Sequence, residues 1–244
     1  MSKLTPVVPC ASCPIRHSAV CAECDSDELE MLSSIKSYRT IPAGAPLASA
    51  GESLTHFSSI VTGCATMSRT LEDGRRQTVG LLLPSDYIGR PGRARAAFDV
   101  EALSEVTLCR FERRAFEDLL RKTPHVASRL LKMTLDELDA ARDWAVVLGR
   151  MTAREKVATF LISLARRQAA AGDALAGAVT MRLPLSREAI ADHLGLTIET
   201  TSRQMTALRK DGLIEMTSNR DIRIPDFGAL ALEAGDDGDG GLIV

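Results

Sequence analysis

Four of the six cysteines lie close together near the N-terminus, at Cys10, Cys13, Cys21 and Cys24. They form two C-x2-C pairs separated by seven residues, and mostly small or polar residues lie between them. Such thiols form disulfides in secreted domains, whereas in a reducing compartment they are more often metal ligands. The N-terminal apolar stretch is too short for a secretory signal. The sequence therefore favours a metal-binding segment over residues 1–25, with unliganded thiols in a flexible tail as the alternative.

Zinc is one metal that this pattern suits. Four thiolates in two C-x2-C pairs match the tetrahedral coordination of a structural zinc ion, and the spacing alone does not exclude it. The other two cysteines, Cys64 and Cys109, are isolated in the sequence. Cys64 follows the turn at Thr62-Gly63 and is expected to be a small buried residue of the fold.

A second group of residues has the chemistry of DNA recognition. Residues 186–212 predict two helices joined by a turn at Gly195, with Thr197 placed to cap the second helix. Residues 213–216 and 222–224 then predict the two strands of a hairpin wing. This order is typical of a winged helix-turn-helix, in which the second helix enters a major groove.

The polar side chains of the second helix suit the edges of bases. Arg203 can donate two hydrogen bonds to guanine, Glu199 can accept one from cytosine, and Ser202 can do either. Lysine and further arginines nearby suit phosphate contacts, which position the protein without specifying sequence. The predicted DNA-contacting set is Glu199, Ser202, Arg203, Thr197, Thr206, Arg209, Lys210 and Arg220.

The elements that would position the cysteines are short strands. Between about residue 36 and residue 112, strand-like segments alternate with glycine-containing turns at intervals of roughly 8–15 residues. This regularity predicts an antiparallel β-roll over residues 26–123, with a short helix at its start. The segment Glu72-Asp73-Gly74-Arg75 is expected to form a hairpin tip.

A long helix is expected over residues 124–150. Pro124 follows Thr123 in the order expected at a helix start, and no breaker occurs before Gly149. Small and apolar residues recur along it at alternating spacings of four and three, which predicts pairing with a second helix. Burial of one broad face within a single protomer is the alternative. The predicted dimer contacts are Leu131, Leu138, Ala141, Ala145 and Leu148, and a second stripe, Leu130, Met133, Val146 and Val147, is expected to pack on the roll.

The net charge of −2 hides an uneven distribution. Residues 151–225 carry 11 basic and 8 acidic side chains, and residues 226–244 carry five acidic and no basic ones. A mildly basic region permits nucleic-acid binding without establishing it. These ranges are assigned to a DNA-binding domain and an acidic C-terminal tail, with a domain boundary at the junction of residues 149–152. Because no apolar run reaches about 18 residues, no membrane span is expected. A cytoplasmic location is expected instead.

Taken together, these features resemble the Crp/FNR superfamily of bacterial transcription regulators. The order of roll, long helix and winged helix-turn-helix matches over nearly the whole chain, which implies an α+β fold. The stretch from Leu194 to Arg203 resembles the FNR branch with its E-x-x-S-R pattern, although Thr201 and Gln204 stand where the family prefers apolar residues. In that branch the matching residues read the TTGAT half-sites of a palindrome. The resemblance therefore implies that Glu199, Ser202 and Arg203 contact bases.

The resemblance also implies a cofactor. FNR-type sensors hold a [4Fe–4S] cluster with three N-terminal cysteines and one from the roll. By this resemblance the ligands are Cys10, Cys13, Cys21 and Cys109, with one cluster per subunit. Cys24 is surplus to this set and is a possible substitute for Cys21. The carboxylate that family members carry on the dimer helix, which keeps the apo form monomeric, is replaced here by Ala141.

The function implied is that of an oxygen-responsive homodimer, mainly an activator, that binds its operator while the cluster is intact. Loss of the cluster would release the N-terminal loop, and Cys109 leads through residues 110–123 into the dimer helix. Exposed roll loops, among them the tip at Glu72–Gln77, are expected to contact RNA polymerase. The alternative is a Crp-like regulator with a structural zinc site or a small-molecule effector in place of the cluster.

Two other classes of protein are disfavoured. A cyclic-nucleotide receptor needs a glutamate in its phosphate-binding cassette, and the corresponding stretch here, Gly89-Arg90-Pro91-Gly92, lacks one. Arg95 is only weakly similar to the arginine of that cassette. An enzyme is not expected, because the sequence contains no nucleophile elbow and no phosphate loop.

Overall fold

The computed structural model describes residues 9–169, 175, 177–218 and 220–235. The chain divides into two compact units, and the boundary lies between Asp136 and Glu137. No helix in the described ranges has the length and apolar character needed to cross a membrane.

The N-terminal unit begins with a segment of turns that carries the clustered cysteines. A single 3-10 turn at Cys10–Ser12 is followed by further turns up to residue 23. Helix α1, Ser26–Ile35, then begins at a reciprocal cap, in which the Asp25 carboxylate accepts from the Glu28 amide and the Glu28 carboxylate accepts from the Asp25 amide. The cysteine segment is thus joined directly to a well-defined helix start.

Two four-stranded antiparallel sheets follow and confirm the predicted roll. Their orders are β1-β8-β3-β6 and β2-β7-β4-β5. The strands are β1 Lys36–Ile41, β2 Pro46–Ala48, β3 His56–Thr62, β4 Ala65–Thr70, β5 Arg76–Leu82, β6 Tyr87–Ile88, β7 Asp99–Ala102 and β8 Val106–Glu112.

Alternation along the strands gives the first sheet two different faces. On β8, Val106 and Leu108 belong to an aliphatic core shared by strands of both sheets. Cys109 and Phe111 alternate with them and belong to a separate core that includes Ile15, Val20 and other residues of the N-terminal segment. The first sheet therefore places Cys109 against the segment that carries the other cysteines.

The long helix is present with the bounds that the sequence predicts. After helix α2, Arg113–Leu120, helix α3 runs from Pro124 to Arg150. The unit boundary falls inside α3, however, and not at the predicted 149–152 junction. The reason is that the second half of α3 packs within the C-terminal unit, where Val147 is fully buried and Trp144 stacks on His193.

The C-terminal unit is a winged helix-turn-helix with two elements that the sequence analysis did not predict. One is β9, Val179–Arg182, which pairs with β11 in a sheet of order β10-β11-β9. The other is a final helix, α7. The elements of this unit after α3 are α4 Ala153–Gln168, β9, α5 Arg187–Leu194, α6 Ile198–Lys210, β10 Glu215–Met216, β11 Asp221–Ile224 and α7 Phe227–Glu233.

Helix α7 corrects the assignment of residues 226–244 to an acidic tail. Asp226 caps the helix, Phe227 and Leu230 are buried, and the Glu233 carboxylate pairs with Arg154 at 2.5 Å. The acidic composition predicts a tail, whereas two buried apolar side chains and one ion pair hold this stretch on the domain. The rest of the assigned tail, residues 236–244, lies outside the described residues.

Candidate metal centre and nucleic-acid interface

Four cysteine thiols converge on the outer face of the first sheet. Cys109 on β8 is buried, and its strand neighbours are Tyr38 on β1 and Ser59 on β3. Burial raises the pKa of the Cys109 thiol to about 12, and the neighbouring Cys13, Cys10 and Cys21 add to this rise. Three cysteines from the N-terminal segment thus lie near enough to Cys109 to perturb its ionisation.

Cys24 lies next to Cys21 at the edge of this group. Its side chain is buried in the same core as Cys109, burial raises the pKa of its thiol to about 12, and Cys21 and Glu28 raise it further. Asp25 also raises this pKa and Arg16 lowers it, so the α1 cap forms the other side of its surroundings. The pKa of Cys21 is raised by burial and also by Cys13 and Cys10. Cys21 thus neighbours Cys10 and Cys13, whereas the thiol that acts on Cys24 is that of Cys21.

Two cations that the sequence analysis missed organise this region. The Arg16 guanidinium donates to the carbonyl of Cys21 at 2.6 Å, to that of Ala22 at 2.8 Å and to that of Cys24 at 2.9 Å. The Lys36 ammonium donates to the Cys10 sulfur at 3.1 Å. Arg16 thereby fixes the backbone of the loop that carries Cys21, and Lys36 places a positive charge beside the Cys10 sulfur.

The thiol donors suit two kinds of metal centre. A tetrahedral zinc ion binds four thiolates with Zn–S bonds of about 2.3 Å. A group of thiol donors with a buried member also fits an iron–sulfur cluster, which binds cysteines through several iron atoms. A separate group of potential ligands, Asp25, Glu28 and His125, has donor atoms that all lie within 4.8 Å of one another.

The cysteine segment contacts helix α3 directly. Arg129 on α3 donates to the carbonyl of Ser18 at 2.7 Å and to that of Ala19 at 3.4 Å. Leu130 and Met133, also on α3, pack against the same buried core as Ala19. The connection expected from the sequence runs from Cys109 through residues 110–123 into α3. The contacts of Arg129 join the cysteine segment to α3 directly.

The face of α3 away from this core carries apolar side chains. Leu131 is 61% exposed and Leu138 is 44% exposed, Ala141 and Ala145 are exposed, and Leu148 is half-buried. Leu135 is exposed as well, and so is Val146, which contradicts its predicted place in the packed stripe. Val146 follows Ala145 on the outward side of the helix, whereas Val147 is turned into the protein. Exposed leucines in a row are the pattern expected of a helix that pairs with another helix.

The recognition helix is built as the sequence predicts. Ser186 caps α5, Gly195 adopts a left-handed φ of 60° that ends α5, and the Thr197 hydroxyl accepts from the Thr200 amide to cap α6. Along α6, one stripe is buried, namely Thr201, Met205 and Leu208. The predicted DNA-contacting residues of this helix are exposed, except Ser202, which is half-buried.

The polar residues at the start of α6 are already oriented. The Arg203 guanidinium donates to the Thr200 hydroxyl at 3.2 Å. The pKa of the Glu199 carboxyl is lowered by a hydrogen bond from its own backbone amide, by one from Thr197 and by the charge of Arg203. Glu199 is therefore an ionised acceptor at neutral pH beside a fixed guanidinium donor. Such a pair can read one acceptor edge and one donor edge of neighbouring bases.

The wing places Arg220 beside a tight turn. The Ser218 hydroxyl donates to the Asp221 carboxylate at 2.6 Å and accepts from the Arg220 amide at 3.1 Å. Arg220 is exposed at this tip, and Arg209 and Lys210 are exposed at the end of α6. These three positive side chains are free to meet a phosphate backbone, as the sequence analysis expects.

The roll contains a small cavity of about 120 Å³, with Arg39, His56 and Arg110 in its lining. This volume is smaller than the roughly 300 Å³ at which small-molecule sites begin. Arg95 donates to the Gly51 carbonyl at 2.7 Å, so its guanidinium is engaged by the backbone.

Comparisons with known proteins agree with this geometry. Residues 38–123 match the cyclic nucleotide-binding domain family, and residues 155–232 match the Crp-like helix-turn-helix domain family. The chain is 55% identical to the transcriptional activator protein FnrL of Cereibacter sphaeroides over 96% of its own length and 95% of that protein. It is 40% identical to a probable transcriptional activator of Rhizobium leguminosarum bv. viciae, over 93% and 92% respectively. The solved structure of FixK2 from Bradyrhizobium japonicum superposes with a TM-score of 0.74 at 32% identity, covering 81% of this chain and 96% of that one.

Proposed function

The chain belongs to the Crp/FNR family of transcription regulators, and from that premise we propose that it is an oxygen-responsive member that binds DNA as a homodimer and acts mainly as an activator. The observation that carries the proposal is the convergence of Cys10, Cys13, Cys21 and Cys109 in the N-terminal unit. Apart from cysteines, the two buried clusters of this unit consist of aliphatic, aromatic and methionine side chains, so grouped thiols are not needed to fill them.

These four cysteines are the proposed ligands of one [4Fe–4S] cluster per subunit. When bound, the cluster would supply a centre that oxygen degrades. The protein contributes the rest: Arg16 holds the backbone of the Cys21 loop, Lys36 offsets the negative charge of the thiolates, and the surrounding core limits access of water. Cys24, buried beside the α1 cap, is proposed not to be a ligand.

The signal is proposed to pass from the cysteine loop to helix α3. The contacts of Arg129 with Ser18 and Ala19 support this route, because a loop that rearranges must break or shift them. Ordering of the start of α3 then favours pairing along Leu131, Leu138 and the small residues that follow. Only a dimer spans two half-sites one helical turn apart, so loss of pairing lowers operator affinity.

On DNA, Glu199, Ser202 and Arg203 are proposed to read TTGAT-type half-sites, while Thr197, Thr206, Arg209, Lys210 and Arg220 contact the backbone. The exposed tip at Glu72–Gln77, where Arg75 pairs with Asp73 at 2.8 Å, is the proposed contact with RNA polymerase. Substitutions at the tip are expected to lower activation without lowering operator affinity. A parallel loss of both would remove the tip from this role.

Purification without oxygen tests the cofactor. The expected product is brown, with about four iron atoms and four acid-labile sulfides per protomer, and it binds a palindromic duplex. A colourless protein with one zinc ion per protomer would overturn the cluster, and with it the proposed response to oxygen. The DNA-binding assignment would survive that outcome, because it rests on the C-terminal unit.

A further inference from the structure

The only tryptophan of the chain connects α3 to the helix-turn-helix. Trp144 stacks on His193 of α5, with ring centroids 4.4 Å apart and an interplanar angle of 23°. His193 is buried, and Phe160 of α4 meets its ring edge-on at 5.8 Å. The indole N–H of Trp144 is buried and has no hydrogen-bond partner in the described part of the chain. The ring faces, and not a hydrogen bond of the indole, therefore make this contact.

His193 lies close to the start of the recognition helix. It is two residues before Gly195, whose left-handed backbone ends α5, and α6 begins at Ile198. The Lys156 ammonium also donates to the carbonyl of the neighbouring Leu194 at 3.3 Å. The end of α5 is thus held by α3 and α4 together, and a shift of His193 would move the helix that carries Glu199 and Arg203.

The same turn of α3 also carries part of the proposed dimer face. Trp144 is followed by Ala145, which is exposed, and Ala141 is exposed one turn earlier. A partner helix on that face and the ring of His193 would therefore be held by neighbouring residues of one rigid helix. The path from a partner subunit to α5 passes beyond α3 through the contact of Trp144 with His193.

We propose that Trp144 and His193 are positioning residues that fix the recognition helix on the dimer helix and so set the half-site spacing that the dimer accepts. This inference rests on the proposed function as a DNA-binding dimer. One inserted base pair moves the second half-site by about 3.4 Å and rotates it by about 35°. A stiff joint between α3 and α5 rejects such a site, whereas a loose joint tolerates it.

The experiment measures spacing discrimination in the full-length protein, purified without oxygen. Fluorescence anisotropy gives the Kd for three duplexes, with the native spacer and with spacers one base pair longer and shorter. Trp144→Leu and His193→Leu are expected to lower the ratio of altered to native Kd by about threefold to tenfold, the range for loss of one aromatic pair. Trp144→Phe and His193→Phe keep a ring in place and should retain the wild-type ratio.

Phe227→Leu is the matched control, because Phe227 is a buried ring of α7 in the same unit and does not take part in the α3–α5 stack. It should lower the melting temperature and leave the ratio unchanged. A wild-type ratio in both leucine variants, or an equal loss in Phe227→Leu, overturns the inference. If Trp144→Leu does not fold, the same ratio of altered to native Kd is measured for His193→Gln, and a wild-type ratio in that variant overturns the inference. A wild type that binds all three duplexes equally refutes this inference alone, whereas one that binds none refutes the proposed function.

Discussion

Among single residues, Cys21 and Cys24 offer the sharpest distinction, because they are close in sequence but differ in surroundings. Cys21 neighbours Cys13 and Cys10, whereas Cys24 neighbours Cys21 and, at the α1 cap, Glu28 and Asp25. We expect Cys21→Ser to lose iron, dimer and operator binding together, because serine offers a poorly ionised oxygen where the cluster needs a thiolate. Cys24→Ser should retain all three. Iron and sulfide analysis under nitrogen, with sedimentation, gives the result.

Cys10→Ser, Cys13→Ser and Cys109→Ser should behave like Cys21→Ser, and Cys64→Ser, in the roll core, serves as the mild control. Loss of metal in Cys24→Ser together with its retention in Cys109→Ser would confine the site to the N-terminal loop and favour zinc.

The thiols of the metal-free protein should also differ in their reactivity with pH. Burial raises the pKa of Cys109 and of Cys24 to about 12, so the neutral thiol of each persists at pH 8. Because only the thiolate attacks iodoacetamide, the rate at these two residues should rise about tenfold per pH unit until pH approaches 12. Peptide mass spectrometry after timed alkylation at pH 7, 8 and 9 gives the rates. A plateau below pH 9 at Cys109 would show that its thiol is not shielded as the structure indicates.

Arg203 and Lys210 should affect DNA binding in different ways. Arg203 lies beside Glu199 at the start of α6, where Arg203→Ala is expected to cost about 1–3 kcal/mol per half-site and to relax the preference for one base pair. Lys210→Ala should weaken binding to all sequences equally and reduce the salt slope by about one. Titrations on native and mutated duplexes at several salt concentrations separate the two. The reverse pattern would mean that α6 is rotated from the placement proposed here.

At the scale of elements, the sequence analysis predicted those with strong local signals. The helix starts at Pro124 and Thr197 and the turn at Gly195 appear where the sequence places them. Strand β9 and helix α7 were missed because they are only four and seven residues long. Elements this short are not stable by themselves and depend on tertiary contacts. For β9 the contact is its pairing with β11, and for α7 it includes the ion pair of Glu233 with Arg154.

The four thiols of the proposed site can be identified from the sequence, but the two cations that contact this region cannot. Arg16 acts on backbone carbonyls and Lys36 on a sulfur, and neither contact has a sequence pattern of its own. The family resemblance gave the four thiols, whereas the placement of Cys24 beside α1 required coordinates. Thr201, noted as a departure from the family, is fully buried, and its hydroxyl has no partner among the described side chains. Its effect is therefore on the packing of α6, as expected, and not on base contacts.

Helix α3 leads to a prediction about its own pairing. Ala141 is exposed on the proposed dimer face, at the position where the family resemblance implies a carboxylate in other members. Ala141→Asp should therefore weaken dimerisation of the protein purified without oxygen, because it places two like charges across the pair. Sedimentation of the wild type and the variant under nitrogen at several concentrations measures the shift. Asp139→Asn, at an exposed acidic residue outside the predicted contacts, is the control and should leave the dimer constant unchanged.

For the whole molecule, the division into two units predicts which property oxygen removes. The four proposed cluster ligands lie in the N-terminal unit, and the recognition helix with its caps and buried stripe lies in the C-terminal unit. If oxygen acts through pairing alone, air exposure should weaken binding to a palindromic duplex by more than tenfold, because two linked half-site contacts become one. Binding to a duplex with one half-site should change less than twofold, because the monomer keeps its winged helix. Anisotropy titrations of both duplexes before and after exposure, with Cys109→Ser as the cluster-free control, measure the two effects. An equal loss on both duplexes would mean that oxygen disrupts the DNA-binding unit itself, and the proposed route through Arg129 and α3 would then be wrong.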